Sequence, residues 1–382
     1  MTEYVELHAR SAFSFLEGAS VPEELIAACL QLEMPAMALL DRDGVYGAPR
    51  FHLAARKNGV KAHIGAEISV QRPKSKGQNP KTNFARTEDG VSIPVLVRNR
   101  TGYQNLCRLI TLMKLRAPKH AKPGECAVTP EELAVYAEGL ICLTGGNGGP
   151  LDLRGVGTGG QIDRENMQRN AEWLVDVFGK GNVYAELQRH FNREEEANNQ
   201  RVIEIARRTG MPLLATNGVG HATPAPREVA DVFTCIRNHV RLETAGRLLA
   251  GNSERYLKSG LTMLELFADL PEAIANTSVL SSRLEFTLED LGYEFPKYPV
   301  PHGETMTSFL HKRTEEGARL RYTSNNDSSA YDRARPQIER ELALIEKLKL
   351  EGYFLIVWDI VQFCRQEGIL IQGRGSAANS AV

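Results

Sequence analysis

Residues 36–44 read AMALLDRDG, a run of five apolar residues that ends directly on two aspartates separated by an arginine. Short apolar runs of the same kind recur along the first 220 residues, at 4–7, 63–70, 93–97, 140–144, 183–187 and 212–216. Between most of them lie amphipathic segments with helical spacing, at 21–32, 102–114, 164–178 and 194–209. Seven predicted strands that alternate with helices indicate an α/β fold built on a parallel sheet or barrel.

Polar side chains follow most of these predicted strands. They are His8, Asp41, Asp43, Glu67, His190 and Asn217. In parallel α/β folds, functional residues lie just beyond the carboxyl ends of the strands. Carboxylates and imidazoles together are typical of a metal cluster that activates water against a phosphoester. The alternative is a set of salt bridges, because Arg10 and Arg42 stand beside His8 and Asp41, and a guanidinium is a good partner for a carboxylate that has no metal.

Composition restricts the class of protein. The chain has 382 residues, 42% of them apolar and 24% charged, with a net charge of −1, which predicts a globular protein of two or three domains without an overall basic field for nucleic acid. The six cysteines form no C-x-x-C pair, as expected in a reducing cytosol. The first residues, MTEYVELHARS, contain no signal sequence, and the longest apolar run, 353–358, is too short to span a membrane. We therefore expect a cytoplasmic protein.

The chain is predicted to change character twice after the strands. Residues 225–290 have helical patterns, and the proline-rich stretch 291–301 marks a domain boundary. A helix is then expected over 336–350 with Pro336 in its first turn. Two loops interrupt the first part. The basic loop 71–86 favours a solvated insertion over a DNA contact, and the glycine-rich stretch 145–160 has no following helix that would make it a dinucleotide site.

The last segment contains a possible phosphate-binding loop. A short β-like run, Ile369–Ile371, leads into Gly373-Arg374-Gly375-Ser376-Ala377-Ala378-Asn379-Ser380. Glycines allow backbone N–H groups to approach phosphate oxygens, while serine hydroxyls and an arginine add further donors. The same residues could equally form a tight turn at a helix packing site, and from the residues alone both interpretations stay open.

Several longer stretches resemble the C-family bacterial DNA polymerases. They include ELHARSAFSFLEGAS, ALLDRDGVYGAPRFHLAARKNG, IGAEI, RTGYQNLCRLIT, ATNGVG, DVFTCIRNHVRLETAGRLL and GYFLIVWDIVQFCRQEGILIQGRGSAANSAV. The resemblance extends along all 382 residues and is strongest to the error-prone paralogue of the polymerase III α subunit, which serves translesion synthesis, damage-induced mutagenesis, DNA repair and replication. It implies a polymerase-and-histidinol-phosphatase (PHP) domain, a (β/α)7 barrel, over 1–222. A helical connection over 223–290 and an incomplete nucleotidyltransferase palm of the polymerase-β type over 291–382 would follow.

The resemblance also implies substrates and site residues. Gly375 and Ser376 would hold the incoming triphosphate and Arg374 would contact its phosphates. Mg²⁺ would be the cofactor, and primer–template DNA, deoxynucleoside triphosphates and other translesion or replisome proteins would be the partners. The catalytic aspartates of the family come downstream of this loop, and the sequence ends before them. We therefore expect the 382-residue polypeptide alone not to polymerise.

The PHP part departs from its family pattern. Residues that replace family ligands are Arg10, Arg42, Ser92, Gly146, Gly218 and Gly220. The remaining, vestigial set is His8, Asp41, Glu67 and His190, too few for a cluster of three ions. We hypothesise that Arg10 and Arg42 replace the metal charge by pairing with Asp41 and Glu67, so that the metal is lost and the barrel is a scaffold. The alternatives are a metal-dependent phosphoesterase or 3′–5′ exonuclease, and a non-catalytic module that binds DNA or a partner protein.

Overall fold

The computed structural model describes residues 3–71, 91–119, 126–146, 148–152, 161–291, 295–323, 329–375 and 379–382. Apart from Gln71, the predicted basic loop lies outside these residues, as do Ser376 and most of the glycine-rich stretch. The chain divides into two compact units, Met1–Leu291 and Gly292–Val382. No helix among the described residues combines the length and the apolar character needed to cross a membrane.

Within the described residues, the first unit is built on one sheet of seven strands that follow each other in chain order. The strands are β1 (Glu6–Ala9), β2 (Ala36–Arg42), β3 (Lys61–Val70), β4 (Val91–Val97), β5 (Leu140–Leu143), β6 (Val183–Leu187) and β7 (Leu213–Ala215). Each coincides with one of the seven predicted runs, which confirms their number and order.

One strand departs from the expected parallel sheet. Strand β4 runs antiparallel to both β3 and β5, while the other neighbouring pairs are parallel. The apolar run at 93–97 did not indicate the direction of the strand, because a strand buried on both faces has the same apolar pattern in either direction.

The two ends of the sheet are joined by backbone hydrogen bonds. Arg10 N donates to Val219 O at 2.8 Å and Val219 N donates to His8 O at 2.9 Å, so the segment after β7 returns to the end of β1. Strand β1 also has a register shift, since Glu6 pairs with Met37 but Ala9 pairs with Leu39. One extra residue in β1 changes where its side chains point, and this is the stretch that contains His8.

Ten helices, described within residues 3–291, connect the strands or follow β7. They are α1 (Pro22–Gln31), α2 (Ala48–Lys57), α3 (Arg100–Arg116), α4 (Pro130–Val135), α5 (Gln161–Phe178), α6 (Arg193–Thr209), α7 (Arg227–Asn238), α8 (Leu242–Ala245), α9 (Gly260–Leu266) and α10 (Pro271–Arg283). Their ends follow local chemistry. The Asn99 side chain accepts a hydrogen bond from Gly102 N at the start of α3, and Gly210 ends α6 with a φ of 75°.

The strands bury both of their faces. Met37, Leu39 and Ile64 belong to a large cluster packed against the helices. Ala36, Ala38 and Leu40 belong to a second, smaller cluster that also contains Leu280 of α10 and Leu284, the residue directly after this helix. Successive side chains on a strand point to opposite faces, so the alternation at 36–40 assigns each residue to one layer.

The second unit contains three helices in its described part, α11 (Met306–Tyr322), α12 (Ser329–Lys347) and α13 (Glu351–Gln366). Helix α12 begins seven residues before Pro336, which contradicts the prediction of Pro336 in a first turn. The Tyr331 hydroxyl donates to the Glu315 carboxylate of α11 at 2.6 Å, which anchors the early turns of α12 despite the proline. The predicted strand at Ile369–Ile371 is also absent, and Leu370 is 98% exposed. A strand requires a neighbour for its hydrogen bonds, and the described residues provide none here.

Candidate functional site

The polar cluster inside the first unit is centred on His8. Its Nδ1 lies 2.6 Å from Glu186 Oε1 and its Nε2 lies 2.7 Å from Glu67 Oε1. All three side chains are buried, with exposures of 4%, 2% and 1%. With a carboxylate at each ring nitrogen, the charged imidazolium is the form that can donate both hydrogen bonds.

Glu67 is also held by Arg10 and Ser92. Arg10 donates through Nε to Oε1 and through Nη2 to Oε2, the latter at 2.8 Å, and Ser92 Oγ donates to Oε2 at 2.9 Å. A two-pronged guanidinium–carboxylate pair is among the strongest polar contacts in proteins. The predicted pairing of Arg10 with Glu67 is thus present, and Ser92 lies beside the cluster.

The pKa values of these groups agree with the geometry. Burial alone would lower the pKa of His8, but the charges of Glu186 and Glu67 raise it to about 10. Burial opposes ionisation of Glu67, yet Arg10 and His8 lower the pKa of this carboxyl well below its usual value, and His8 lowers that of Glu186. Nearby, burial raises the pKa of Glu6 to about 7. The cluster is therefore a chain of compensated charges at neutral pH.

Asp41 pairs with no arginine among the described residues, which corrects the predicted contact. Its carboxylate accepts hydrogen bonds from Ser11 N and Oγ at 2.9 Å, from Ser14 Oγ at 2.8 Å and from Gly47 N at 3.2 Å. Arg42 lies opposite Glu67 in the register of β2 and β3, with 4.0 Å between Nη1 and Oε2. Neighbouring residues of a strand point to opposite faces of the sheet. Arg42 therefore faces Glu67, while the Asp41 carboxylate points to the other face.

His190 is also separate from the ion-pair chain. Its Nδ1 lies 2.9 Å from Glu195 Oε1 and its Nε2 lies 2.8 Å from Asn217 O, and burial lowers its pKa. Of the four vestigial residues, the structure joins only His8 and Glu67 by direct contact.

Gln188 fills the space next to Gly146 and Gly218, two of the three glycines that replace family ligands. A Cβ on Gly146 would lie 2.3 Å from Gln188 Oε1, and a Cβ on Gly218 would lie 2.6 Å from Gln188 Nε2 and 2.8 Å from Arg255 Nη1. Gln188 Nε2 donates to Glu186 Oε1 at 2.8 Å, and Arg255 Nη1 donates to Gln188 Oε1 at 3.2 Å. Sequence reasoning missed Glu186, Gln188 and Arg255. A glutamate inside the apolar run VYAEL was the one available signal, since a buried charge requires a partner.

The fit of a PHP metal to these residues can be tested on the donor atoms. Both nitrogens of His8 contact carboxylates, and both oxygens of Glu67 accept hydrogen bonds. A histidine that binds a metal ion must be neutral and must have a free lone pair on the nitrogen that faces the ion. Within the described residues, no group of three or more His, Cys, Asp or Glu side chains is arranged to share an ion. The arrangement present does not fit the family's metal cluster.

We expect the free energy of unfolding of the first unit to fall as the pH rises from about 6.5 to about 10. The folded pKa of His8 is raised to about 10, so its stabilising effect is complete below the unfolded pKa near 6.5 and is lost as pH rises. The pKa of Glu6 is also raised, to about 7, so the stability that this group contributes is lost as the pH rises from about 4.5 to 7. Glu67 and Glu186 have lowered pKa values, so the stability that they contribute is present above about pH 4.5 and is lost as the pH falls below it.

Urea unfolding at a series of pH values measures this profile. In a His8→Gln variant the decline above pH 7 should largely disappear, because glutamine does not titrate. A wild-type free energy that stays constant from pH 7 to 10 would contradict the charged state assigned to His8.

The second candidate site is the C-terminal loop. Arg374 is exposed, and Gly375 has a φ of 86°, a left-handed conformation that favours glycine. After the loop, Ser380 Oγ donates to Glu341 Oε2 at 2.6 Å and Ala381 N donates to the same oxygen at 2.8 Å. These contacts fasten the end of the loop to α12. Asn379 and Ser380 also line a cavity of about 690 Å³ whose other walls are largely apolar.

Comparison with known proteins identifies two family domains in this chain. Residues 6–190 match the PHP domain, and residues 308–382 match the bacterial DNA polymerase III alpha NTPase domain. A solved amidohydrolase from Chromobacterium violaceum aligns with 57% of this chain and 88% of its own, with a TM-score of 0.35 and 14% identity, too little to support a conclusion.

Curated relatives match along nearly the whole chain. An error-prone DNA polymerase of Mycolicibacterium paratuberculosis is 38% identical over 99% of this chain, and that of Dechloromonas aromatica is 37% identical over 100%. The error-prone DNA polymerase of Pseudomonas syringae pv. tomato is 34% identical over 100%. In each case the chain spans 33% of the relative's own length. The chain thus matches a PHP domain followed by the bacterial DNA polymerase III alpha NTPase domain, and it is similar along nearly its whole length to about a third of the length of proteins named error-prone DNA polymerase.

Proposed function

We propose that the chain is part of an error-prone, DNA-directed DNA polymerase that acts in damage tolerance and repair. The supporting observation is the 38% identity over 99% of the chain to a relative of that name, with both family domains present. The activity is proposed for the whole protein, because the chain spans 33% of that relative. Its substrates would be primer–template DNA and deoxynucleoside triphosphates, its compartment the cytoplasm, and its partners other translesion or replisome proteins.

Within this protein, we assign residues 1–222 to the PHP barrel, 223–290 to its helical connection and 291–382 to the beginning of the palm. The triphosphate would bind the loop that contains Arg374, Gly375 and Ser376. The exposed Arg374 guanidinium and the left-handed backbone at Gly375 support this assignment, since such a backbone can direct N–H groups towards an anion. When bound, Mg²⁺ would supply positive charge that stabilises the negative charge developing in the transition state of nucleotidyl transfer.

Primer extension by the complete protein that contains this sequence tests the proposal. We expect template-dependent extension with Mg²⁺, and a loss of about 10- to 100-fold in kcat/KM for the nucleotide in Arg374→Ala, mostly through KM. Arg365→Ala, which removes an exposed arginine from the last turn of α13, is the matched control and should change kcat/KM little. Absence of extension with either Mg²⁺ or Mn²⁺ would overturn the function. Equal effects of the two substitutions would overturn only the assignment of the loop.

For the barrel we propose a structural role without a metal. His8 lies between two carboxylates, Arg10 forms an ion pair with the Glu67 carboxylate, and Gln188 fills the space beside Gly146 and Gly218. Internal ion pairs here replace the charge that a metal would supply. Buried carboxylates without either would cost several kcal/mol each, about what breaking a buried ion pair costs.

Metal analysis of the purified 382-residue chain tests this role. After growth with added zinc and manganese, we expect far less than one metal ion per chain, and no change in the urea midpoint when EDTA is added. Stoichiometric metal, or nuclease or phosphatase activity that disappears in His8→Ala, would instead support the phosphoesterase alternative.

A further inference from the structure

Three arginine side chains converge on the carboxylate of Glu17 at the edge of the polar cluster. Arg10 Nη1 lies 3.5 Å and Arg42 Nη1 lies 4.0 Å from Glu17 Oε2, while Arg237 Nη1 lies 3.8 Å from Glu17 Oε1. The arginines come from separate places in the first unit, next to β1, at the end of β2 and on α7. Folding alone therefore brings them together around one anion.

The contacts to Glu17 are loose. A hydrogen bond between such groups has a length of about 2.7 to 2.9 Å, so all three distances are too long for good ones. Among the described residues, the guanidinium groups of Arg42 and Arg237 make no hydrogen bond. Arg42 otherwise has carboxylates only at 3.7 and 4.0 Å, those of Asp43 and Glu67. Their side chains are 29% and 48% exposed, so a small ligand could reach them from solvent.

The neighbouring carboxylates are engaged elsewhere. Glu67 is buried and held by His8, Arg10 and Ser92. Asp43 accepts hydrogen bonds from Ser69 N at 2.7 Å and Ser69 Oγ at 2.8 Å. Glu17, whose side chain is 22% exposed, is thus the carboxylate of this group that can leave. When it does, the edge of the cluster gains one uncompensated positive charge.

We propose that Arg10, Arg42 and Arg237 form a binding site for a phosphate group, and that Glu17 occupies this site when no ligand is bound. A phosphate has more acceptor oxygens and more negative charge than a carboxylate, and their tetrahedral arrangement suits donors that arrive from three directions. The site is independent of the proposed polymerase activity, since none of its residues belongs to the nucleotide loop. Its ligand is either a free phosphate or a phosphodiester of single-stranded nucleic acid.

Phosphate binding to the 382-residue chain tests the site. Inorganic phosphate is followed by ³¹P NMR at constant ionic strength, and a fluorescent single-stranded oligonucleotide is followed by anisotropy. Glu17→Gln should tighten binding by about 3- to 10-fold, because it removes the internal competitor, and Arg237→Gln should weaken it by a similar factor. Glu204→Gln on α6 and Arg241→Gln before α8 make the same charge changes at other exposed positions and serve as controls.

The result distinguishes the two sources of phosphate. Effects on inorganic phosphate support a free phosphate ligand, and effects confined to the oligonucleotide support a phosphodiester. The proposal is overturned if neither probe binds, or if Glu17→Gln and Arg237→Gln behave like their controls. Arg237 is half-exposed on α7, so its substitution leaves the core intact, and circular dichroism verifies that each variant is folded.

Discussion

Replacement of His8 by alanine is expected to lower the free energy of unfolding of the first unit by about 3 to 5 kcal/mol. The imidazolium is the shared partner of Glu186 and Glu67, which are 2% and 1% exposed. Arg10 would still compensate Glu67, but Glu186 would lose its one cationic partner among the described residues. Uncompensated burial of that charge is the main source of the loss.

The two tryptophans allow this change to be measured in the first unit alone. Trp173 lies on α5 and Trp358 on α13, so fluorescence in a Trp358→Phe background reports on residues 1–291. Urea unfolding of this background with and without His8→Ala gives the difference. His52→Ala, at a partly exposed histidine of α2, is the control and should cost less than about 1 kcal/mol.

A second substitution tests the cause of the loss. Adding Glu186→Gln to His8→Ala should recover about 1 to 2 kcal/mol, because the neutral amide leaves no buried charge without a partner. If the double variant were no more stable than His8→Ala, lost packing and not the uncompensated carboxylate would be the cause.

Gly352→Ala is expected to destabilise the second unit by about 2 to 3 kcal/mol. A Cβ on Gly352 would lie 1.9 Å from the Pro296 carbonyl oxygen. This atom belongs to the backbone, so no side-chain rotation relieves the overlap, and α13 must move away from the segment before α11. The gain of about 1 kcal/mol from a better helix former offsets only part of this cost.

Gly317→Ala is the matched control for this prediction. Gly317 lies inside α11, and a Cβ there meets nothing within 4 Å. Alanine should therefore stabilise the unit by about 0.5 to 1 kcal/mol through helix propensity. Trp358 fluorescence in a Trp173→Phe background measures both variants. If Gly352→Ala were as stable as Gly317→Ala, the close approach of Pro296 to α13 would be wrong.

The sequence predicted the strands of the sheet well, since each of the seven apolar runs overlaps a strand of the described residues. In AMALL the structure assigns Met37 and Leu39 to one buried layer and Ala36, Ala38 and Leu40 to the other. Such patterns are local, because a side chain's face depends only on its position along the strand. The start of α12 and the direction of β4 depend on contacts with distant segments, and there the local pattern was insufficient. Pro336 illustrates this, since the contact of Tyr331 with Glu315 extends α12 in front of it.

For the candidate sites, the sequence alone determined which residues are unusual, and the tertiary structure decided which of them meet. His8, Arg10 and Glu67 stood out by residue type and by resemblance to a family, and they lie in contact. Asp41 and His190 stood out equally but face Ser11 and Glu195. Their neighbours are set by strand register and by the extra residue in β1, which no local pattern encodes. Likewise, Gln188 and Glu17 acquire their significance from arginines distant in the chain, because electrostatic partners are chosen by proximity in space.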